Sequence, residues 1–280
     1  MTMPFAVTTI AFRTTLRSPA LRGAVMALGL ITVVPCAQAQ LAVDRSELFI
    51  RPAVRTERVG LITVTNTSGQ PMQAQVKLED WKRSAEGANQ WFPVGTVPGS
   101  CGARLTVFPL ALSLEAGATQ SIRLSLADSV ATLPQECWSA VMVEAAQAPS
   151  QRNGMNYVVR TAVKVYVEPA GTQTAGEITD MNVLPSVEGE QLEVWFRNSG
   201  TRHYVAKGAV EFRRADNSVA AKIALPDYYV LPGAAQRVKI AVPKLGVGEY
   251  IAIAMVDFGG DDIAAMQVEH TVRAAVRGGR

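Results

Sequence analysis

Short runs of alternating apolar and polar residues recur between residues 41 and 169, separated by turn signals such as the polar, glycine- and proline-containing segment 66–71. A period of two places alternate side chains on opposite faces of a strand, and no window of 12 or more residues shows the 3.6-residue period of a helix. Many short strands at this spacing predict a β-sandwich. The runs lie at residues 59–65, 72–78, 105–110, 121–126 and 138–144.

The second half of the chain repeats this scheme. Each half has an Asn–Gly turn, a Gly-Ala-x-Gln turn that leads into an alternating strand, and a closing apolar strand. The sequence therefore predicts an all-β fold with two tandem immunoglobulin-like sandwiches, at residues 40–169 and 177–273, joined by a linker at 170–176. Residues 274–280 are expected to be a disordered tail. The matching segments are 64–69 with 196–200, 114–124 with 230–240, and 138–144 with 251–257.

Residues 1–39 have the pattern of a secretory signal peptide. Three arginines precede an apolar run at 24–34, and small residues occupy the positions read by signal peptidase, which predicts cleavage after Ala39. The run is shorter than the ~20 residues that span a bilayer, so no membrane span is expected. A lipoprotein attached through Cys36 is the alternative, which Pro35 disfavours because a small residue is expected there.

The net positive charge of the whole chain comes from the predicted signal peptide. The whole chain has 27 basic and 24 acidic residues, and the signal contributes three arginines and no acid. The mature chain is therefore formally neutral, with 24 residues of each sign. No basic surface points to a nucleic-acid partner.

Two cysteines remain after cleavage, Cys101 and Cys137. An even pair in an exported protein predicts a disulfide, which would stabilise the fold by about 4 kcal/mol in the chain-entropy model. Two free buried thiols are the alternative.

Residues suited to catalysis are few. The chain has two histidines, His203 and His270, for which surface or hairpin positions are expected, and it has no Gly-x-Ser-x-Gly elbow. The sequence therefore predicts neither an enzyme, nor a metal site, nor a cofactor. The segment Gly259-Gly260-Asp261-Asp262 is interpreted as a turn between two strands, with a cation site as the alternative.

The longest strand-like run, residues 155–169, contains one interior lysine, Lys164, among apolar neighbours. Lysine is rarely buried without a partner. Either Lys164 points to solvent from an edge strand, or it lies in a cleft between the sandwiches and meets an anion, with a carboxylate as the simplest candidate. Three alternate apolar residues at the start of the run share one face that could be offered to another protein or belong to the core. They are Met155, Tyr157 and Val159.

Four short segments, taken in order, resemble the periplasmic pilus-assembly chaperones of the chaperone–usher (PapD-like) family, over residues 43–169. The resemblance implies a non-enzymatic periplasmic chaperone that binds secreted pilin-like or surface subunits by donating an edge strand, with an outer-membrane usher as a further candidate partner. A structural or adhesive exported protein is the main alternative, and a hydrolase is another. The segments are Val64-Thr65-Asn66; Phe108-Pro109 followed by Leu114-Glu115-x-Gly117 and Arg123-Leu124; Leu133-Pro134-Gln135-Glu136; and Val163-Lys164-Val165-Tyr166-Val167-x-Pro169.

The same resemblance assigns roles to individual residues. Lys164 would bind the terminal carboxylate of a subunit, and Met155, Tyr157 and Val159 would fill the groove left by its missing strand. The family also uses an arginine of the first strand, where the two possible alignments of this chain place Glu47 or Leu48. Arg45 or Arg51 is then the candidate substitute.

The second half departs from the family pattern. An Asn-Pro-Thr-Pro-aromatic segment is expected there, and residues 198–204 of this chain do not contain it. The chain is therefore interpreted as a divergent member.

Overall fold

The protein is described by a computed structural model that covers residues 41–126, 133–146 and 158–274. The alternating runs form strands throughout, and two short 3-10 helices lie at Arg55–Glu57 and Gly102–Arg104. The first ten strands are β1 (Leu41–Val43), β2 (Glu47–Ile50), β3 (Val59–Asn66), β4 (Met72–Arg83), β5 (Asn89–Phe92), β6 (Leu105–Phe108), β7 (Ala111–Leu114), β8 (Thr119–Leu126), β9 (Cys137–Ala146) and β10 (Val158–Val167).

These ten strands form the first sandwich. One sheet has the order β1-β3-β8-β6, and the other has the order β2-β10-β9-β4-β5, with β7 also paired to β4. The inward faces of both sheets meet in one core, in which Ile62, Ile122, Val141 and Val165 are fully buried. Alternation along each strand places these residues on the inner face, as the sequence predicts.

The first strand of the sandwich is divided between its two sheets. β1 pairs antiparallel with β3, and β2 then crosses to pair parallel with β10. The crossover occurs around Asp44, whose carboxylate accepts a hydrogen bond of 2.8 Å from the Thr63 backbone N–H. Arg45 and this backbone N–H hold the pKa of Asp44 below its usual value.

The remaining strands form the second sandwich. Its sheets have the orders β11-β12-β16 and β14-β13-β17-β18, with β15 paired to β13, around a core that contains Phe196, Phe212 and Tyr228. The predicted all-β fold with two tandem sandwiches is confirmed, and the predicted turn at 259–262 joins β17 to β18. These strands are β11 (Gly176–Ser186), β12 (Gly189–Asn198), β13 (Tyr204–Arg213), β14 (Val219–Ala224), β15 (Tyr228–Val230), β16 (Ala235–Ala241), β17 (Gly248–Asp257) and β18 (Ile263–Val272).

A buried asparagine, Asn66, closes the sequence-repeated turn in the first sandwich. Its side-chain amide donates to the carbonyls of Leu114 and Glu115, each at 3.0 Å, and its side-chain oxygen accepts from the Ser68 N–H at 2.9 Å. Its backbone carbonyl accepts from the Gly117 N–H at 3.0 Å. We call this arrangement the asparagine latch.

The second sandwich has the same latch. The Asn198 amide donates to the Val230 carbonyl at 3.0 Å, and its side-chain oxygen accepts from the Gly200 N–H at 2.8 Å. The Asn198 backbone carbonyl accepts from the Gly233 N–H at 3.0 Å. The repeat read from the sequence is therefore a repeat of hydrogen-bond geometry, because both asparagines satisfy the otherwise unpaired polar groups of a turn.

The predicted disulfide between Cys101 and Cys137 is present, and it joins the start of β9 to the loop before β6. The same loop is held by the buried Asp80 carboxylate, which accepts from the backbone N–H groups of Thr96 and Val97 at 2.9 and 3.1 Å. Among the described residues, no helix is long and apolar enough to cross a bilayer.

The part of the outer face of the β10-β9-β4 sheet that the second sandwich covers is largely apolar, and the rest of that face carries ion pairs of Lys77 and Arg160 with Glu79 and Glu144. Trp81, Trp138 and Tyr166 from the first sandwich form a buried cluster with Leu231 from the second. Two backbone hydrogen bonds also join the sandwiches, from Glu136 N–H to the Thr201 carbonyl at 2.8 Å and from Arg237 N–H to the Ala85 carbonyl at 2.7 Å. This junction forms the walls of a cleft between the two sandwiches.

Candidate functional site

The cleft contains one end of β10, whose two halves differ in their pairing. Along its whole length β10 pairs with β9 on one side. On the other side β2 covers only Lys164 to Val167. Within the described part of the chain, residues 158–163 have no paired strand on this second edge.

The direction of the backbone groups on that edge follows from the ladder. The Lys164 N–H donates to the Ser46 carbonyl at 3.0 Å, and the Glu168 N–H donates to the Ile50 carbonyl at 2.9 Å. Backbone groups alternate sides along a strand. The N–H groups of Arg160 and Ala162 therefore point away from β9, toward the open edge.

Lys164 lies on the cleft face, at the point where the open edge ends. Its side chain is 17% exposed, so the solvent-facing alternative for this residue is wrong. Its ammonium nitrogen lies 5.0 Å from the centroid of the Trp81 ring and 4.5 Å from that of Tyr229, distances at which aromatic faces attract cations. Burial, with the nearby Arg83 cation, lowers the pKa of Lys164, and the charge of Glu47 opposes this shift.

The carboxylate partner of Lys164 belongs to the protein itself. Parallel pairing places Glu47 of β2 opposite Lys164, and Glu47 Oε1 lies 3.6 Å from the lysine nitrogen. The Tyr229 hydroxyl donates to the same oxygen at 3.0 Å, and it is also hydrogen-bonded to the Tyr166 hydroxyl. Burial raises the pKa of both tyrosines, so both hydroxyls stay protonated.

The structure decides between the two alignments of the first strand. Glu47 faces Lys164, whereas Leu48 points into the core and is buried. Neither candidate arginine takes the place beside Lys164. Arg45 pairs with Asp44 at 2.7 Å, and Arg51 pairs with Glu57 and Glu168, each at 2.9 Å.

A cation that the sequence analysis missed lies nearby. The Arg83 guanidinium, at the end of β4, is 5.0 Å from the centroid of the Tyr229 ring, so this ring contacts both Arg83 and Lys164. Arg83 donates to the Asn89 side-chain oxygen at 3.2 Å, while its buried Nε has no hydrogen-bond partner in the described part of the protein. In the sequence Arg83 appears only as a basic residue near the end of a strand. Such residues are too common for this one to be identified as part of a site.

The structure can be compared with the predicted donor surface only in part. Met155 and Tyr157 lie outside the described residues. Val159 is partly buried and shares its face with Val163 and Val165, which belong to the core of the first sandwich. The donor face and the cleft face carrying Lys164 are thus opposite faces of one strand.

Both histidines are largely buried, so the expected surface position is wrong for them, whereas His270 does lie in a hairpin, that of β17 and β18. The His203 Nδ1 lies 2.7 Å from Oε1 of Glu136, a carboxylate with 1% exposure, and its ring stacks on Tyr166 with centroids 3.9 Å apart. His203 therefore helps to fix the second sandwich against the first. His270 is buried in β18 and packs edge-on against Phe212.

No group of three or more potential metal ligands occurs among residues 41–126, 133–146 and 158–274. The polar groups of the cleft instead form donor–carboxylate pairs, which suit recognition of an anion.

Comparisons with known proteins support the fold. No protein-family model matches the chain. No curated protein matches it either. A solved structure described as a chaperone–tip adhesin complex of CFA/I fimbriae matches with a TM-score of 0.50 and 14% identity, over 84% of this chain and 100% of that one.

Two further matches are the class 5 fimbriae chaperone CfaA and the CsuC–CsuE complex of Csu pili from Acinetobacter baumannii. Their TM-scores are 0.49 and 0.46, with identities of 15% and 13%. They cover 84% and 82% of this chain, and 100% and 98% of their own chains. At such identities the likeness concerns the fold, and the first match confirms that this chain resembles fimbrial chaperones in its two-sandwich architecture.

Proposed function

We propose that the protein is a periplasmic chaperone that binds fimbrial or related surface subunits by donating the open edge of β10. The observation that carries this proposal is the open edge at residues 158–163, to which no described strand is paired and which ends at a cation in a cleft. A subunit that lacks a strand exposes backbone groups and core, and an added strand satisfies both. The protein acts by binding, without catalysis.

The position of Lys164 favours this function over a structural or adhesive one. A spacer domain has no need of a lysine that is 17% exposed between two aromatic rings. A buried ammonium costs free energy unless an anion compensates it. Glu47 supplies that anion in the free protein, and because Lys164 lies where the open edge ends, the carboxylate of a bound subunit could supply it instead.

The first test is recovery of the subunit from the periplasm with the full-length protein. We expect Lys164→Ala to abolish co-purification of the subunit while the chaperone stays folded. Lys222→Ala serves as the matched control, because Lys222 is exposed and pairs with Glu211 at 3.0 Å in the second sandwich, away from β10. An unchanged subunit yield with Lys164→Ala would contradict the anchor.

The second test addresses strand donation independently of charge. Ala162→Pro removes an N–H that points to the open edge, and it leaves the ladder to β9 in place. We expect subunit recovery to fall at least tenfold, whereas Ala162→Ser, which keeps the N–H, should retain it. Equal recovery with both variants would show that this edge does not bind the subunit.

A further inference from the structure

The cleft already binds a carboxylate, that of Glu47. Its Oε1 lies 3.6 Å from the Lys164 nitrogen and accepts a hydrogen bond of 3.0 Å from the Tyr229 hydroxyl. Two donors from different parts of the chain thus converge on one carboxylate oxygen. The Glu47 side chain is 32% exposed, so it lies between the buried lysine and solvent.

Tyr229 brings the second sandwich into this site. The residue lies in β15, and its ring contacts the Lys164 and Arg83 cations. Its backbone N–H donates to the Gln236 side-chain oxygen at 2.9 Å, which fixes the strand that carries it. The donor pair is therefore complete only when the two sandwiches are joined.

We propose that Glu47 is an internal stand-in for the terminal carboxylate of a bound subunit, and that Tyr229 is the second donor of that carboxylate site. The inference rests on the proposed function for the identity of the ligand. The incoming carboxylate takes the position of Glu47 Oε1 and accepts from Lys164 Nζ and Tyr229 Oη. Glu47 then turns toward solvent.

This arrangement explains how a lysine can await its ligand in a largely buried site. An unpaired ammonium among aromatic rings would be costly in the free protein, and Glu47 removes that cost. The same contact competes with the ligand, because a site occupied by its own carboxylate binds another with reduced apparent affinity. The stand-in thus lowers affinity and keeps the cleft structured.

Acetate is the simplest probe of this site. We would titrate the full mature protein with acetate and follow the side-chain ammonium signal of Lys164 by NMR, with acetamide as the neutral control. Glu47→Gln should tighten acetate binding about tenfold, and Glu47→Asp should give an intermediate gain because its carboxylate is withdrawn by one methylene. Glu115→Gln, in an exposed turn, removes a carboxylate elsewhere and should leave the titration unchanged.

The role of Tyr229 is read in the Glu47→Gln background. Adding Tyr229→Phe should weaken acetate binding about tenfold or more, the typical effect of losing one hydrogen bond to a charged group. Thermal unfolding of each variant shows whether the cleft is intact. If Glu47→Gln binds acetate no more tightly than the wild type, the stand-in role of Glu47 is wrong. If adding Tyr229→Phe leaves the acetate affinity of Glu47→Gln unchanged, Tyr229 is not the second donor.

These outcomes are separable from the proposed function. If acetate binds as expected but Lys164→Ala leaves subunit recovery unchanged, the cleft is a carboxylate site that the subunit does not use. If Lys164→Ala abolishes recovery but Glu47→Gln leaves acetate binding unchanged, the chaperone function stands and the stand-in fails.

Discussion

The two sandwiches use the same asparagine latch in opposite surroundings. In the first, the residue after the Leu114 contact of the latch is Glu115, whose side chain is exposed. In the second, the equivalent residue is Leu231, which is 1% exposed and belongs to the cluster between the sandwiches. A turn that closes one domain against solvent has become, in the other, the surface that joins the domains. The latch determines the shape of the turn in both sandwiches. The side chain at the position of Glu115 or Leu231 determines whether the turn faces solvent or the other sandwich.

The largest expected difference between the sandwiches concerns the disulfide, which within the described residues occurs in the first. Cys101→Ser with Cys137→Ser opens a loop with a sequence separation of 36 residues. We expect a loss of about 4 kcal/mol in the unfolding free energy of the first sandwich, because the unfolded chain regains the entropy of that loop. Hydrogen exchange should report the loss in β9 and leave β12 and β17 nearly unchanged. An equal loss in both would show that the sandwiches unfold as one unit.

Removal of the latch should cost somewhat less and should affect both sandwiches alike. Asn66→Ala and Asn198→Ala each leave buried carbonyls without donors. Each should lower the unfolding free energy by about 3 kcal/mol, measured by denaturant titration. Serine at the same positions is too short to reach these carbonyls and should not restore stability. If the losses of unfolding free energy in Asn66→Ala and Asn198→Ala differ by more than a factor of two, the two latches are not equivalent.

Substitution after the latch should separate the two sandwiches again. Leu231→Ala should cost about 2–3 kcal/mol, because it creates a cavity between the sandwiches, whereas Glu115→Ala should change stability by less than about 0.5 kcal/mol. Leu231→Ala should also increase the independent motion of the two sandwiches in small-angle scattering. If Leu231→Ala leaves the unfolding free energy unchanged, polar contacts alone hold the two sandwiches together.

The smallest effect is a pH dependence in the first sandwich. Burial lowers the pKa of Lys164, so between this lowered value and the ordinary value of 10.5 the unfolded chain binds more protons than the folded protein. Stability contributed by Lys164 therefore rises with pH through that window. Lys164→Met should flatten the curve of unfolding free energy against pH in the range just below 10.5. Parallel curves for the two proteins would contradict the contribution of burial.

Much of the fold follows from local pattern. Alternation predicts the strands, the repeated Asn and Gly segments predict two sandwiches, and the paired cysteines predict their bond. These features depend on residues close in sequence or on residue types with few alternatives. The predicted domain boundaries and the signal peptide remain predictions, and residues 1–39 lie outside the described residues.

The cleft was less predictable because it depends on pairing between distant elements. The sequence left open whether Glu47 or Leu48 lies at the place of the expected first-strand arginine, since a parallel contact between β2 and β10 has no turn to fix its alignment. Tyr229 is 65 positions beyond Lys164, in the other sandwich. The sequence did contain one indication of its position in the fold. Tyr229 directly precedes segment 230–240, which the repeat matches to segment 114–124 of the first sandwich.

The partial cover of β10 by β2 has a mechanical consequence. A strand laid along residues 158–163 can slip toward the beginning of β10, but slippage the other way meets backbone groups that Ser46 and Ile50 already occupy. The paired segment of β2 and β10 therefore blocks movement of an added strand toward Val167 and allows movement toward Val158. The position of the last residue of an added strand, rather than its side-chain sequence, would then determine where that strand comes to rest.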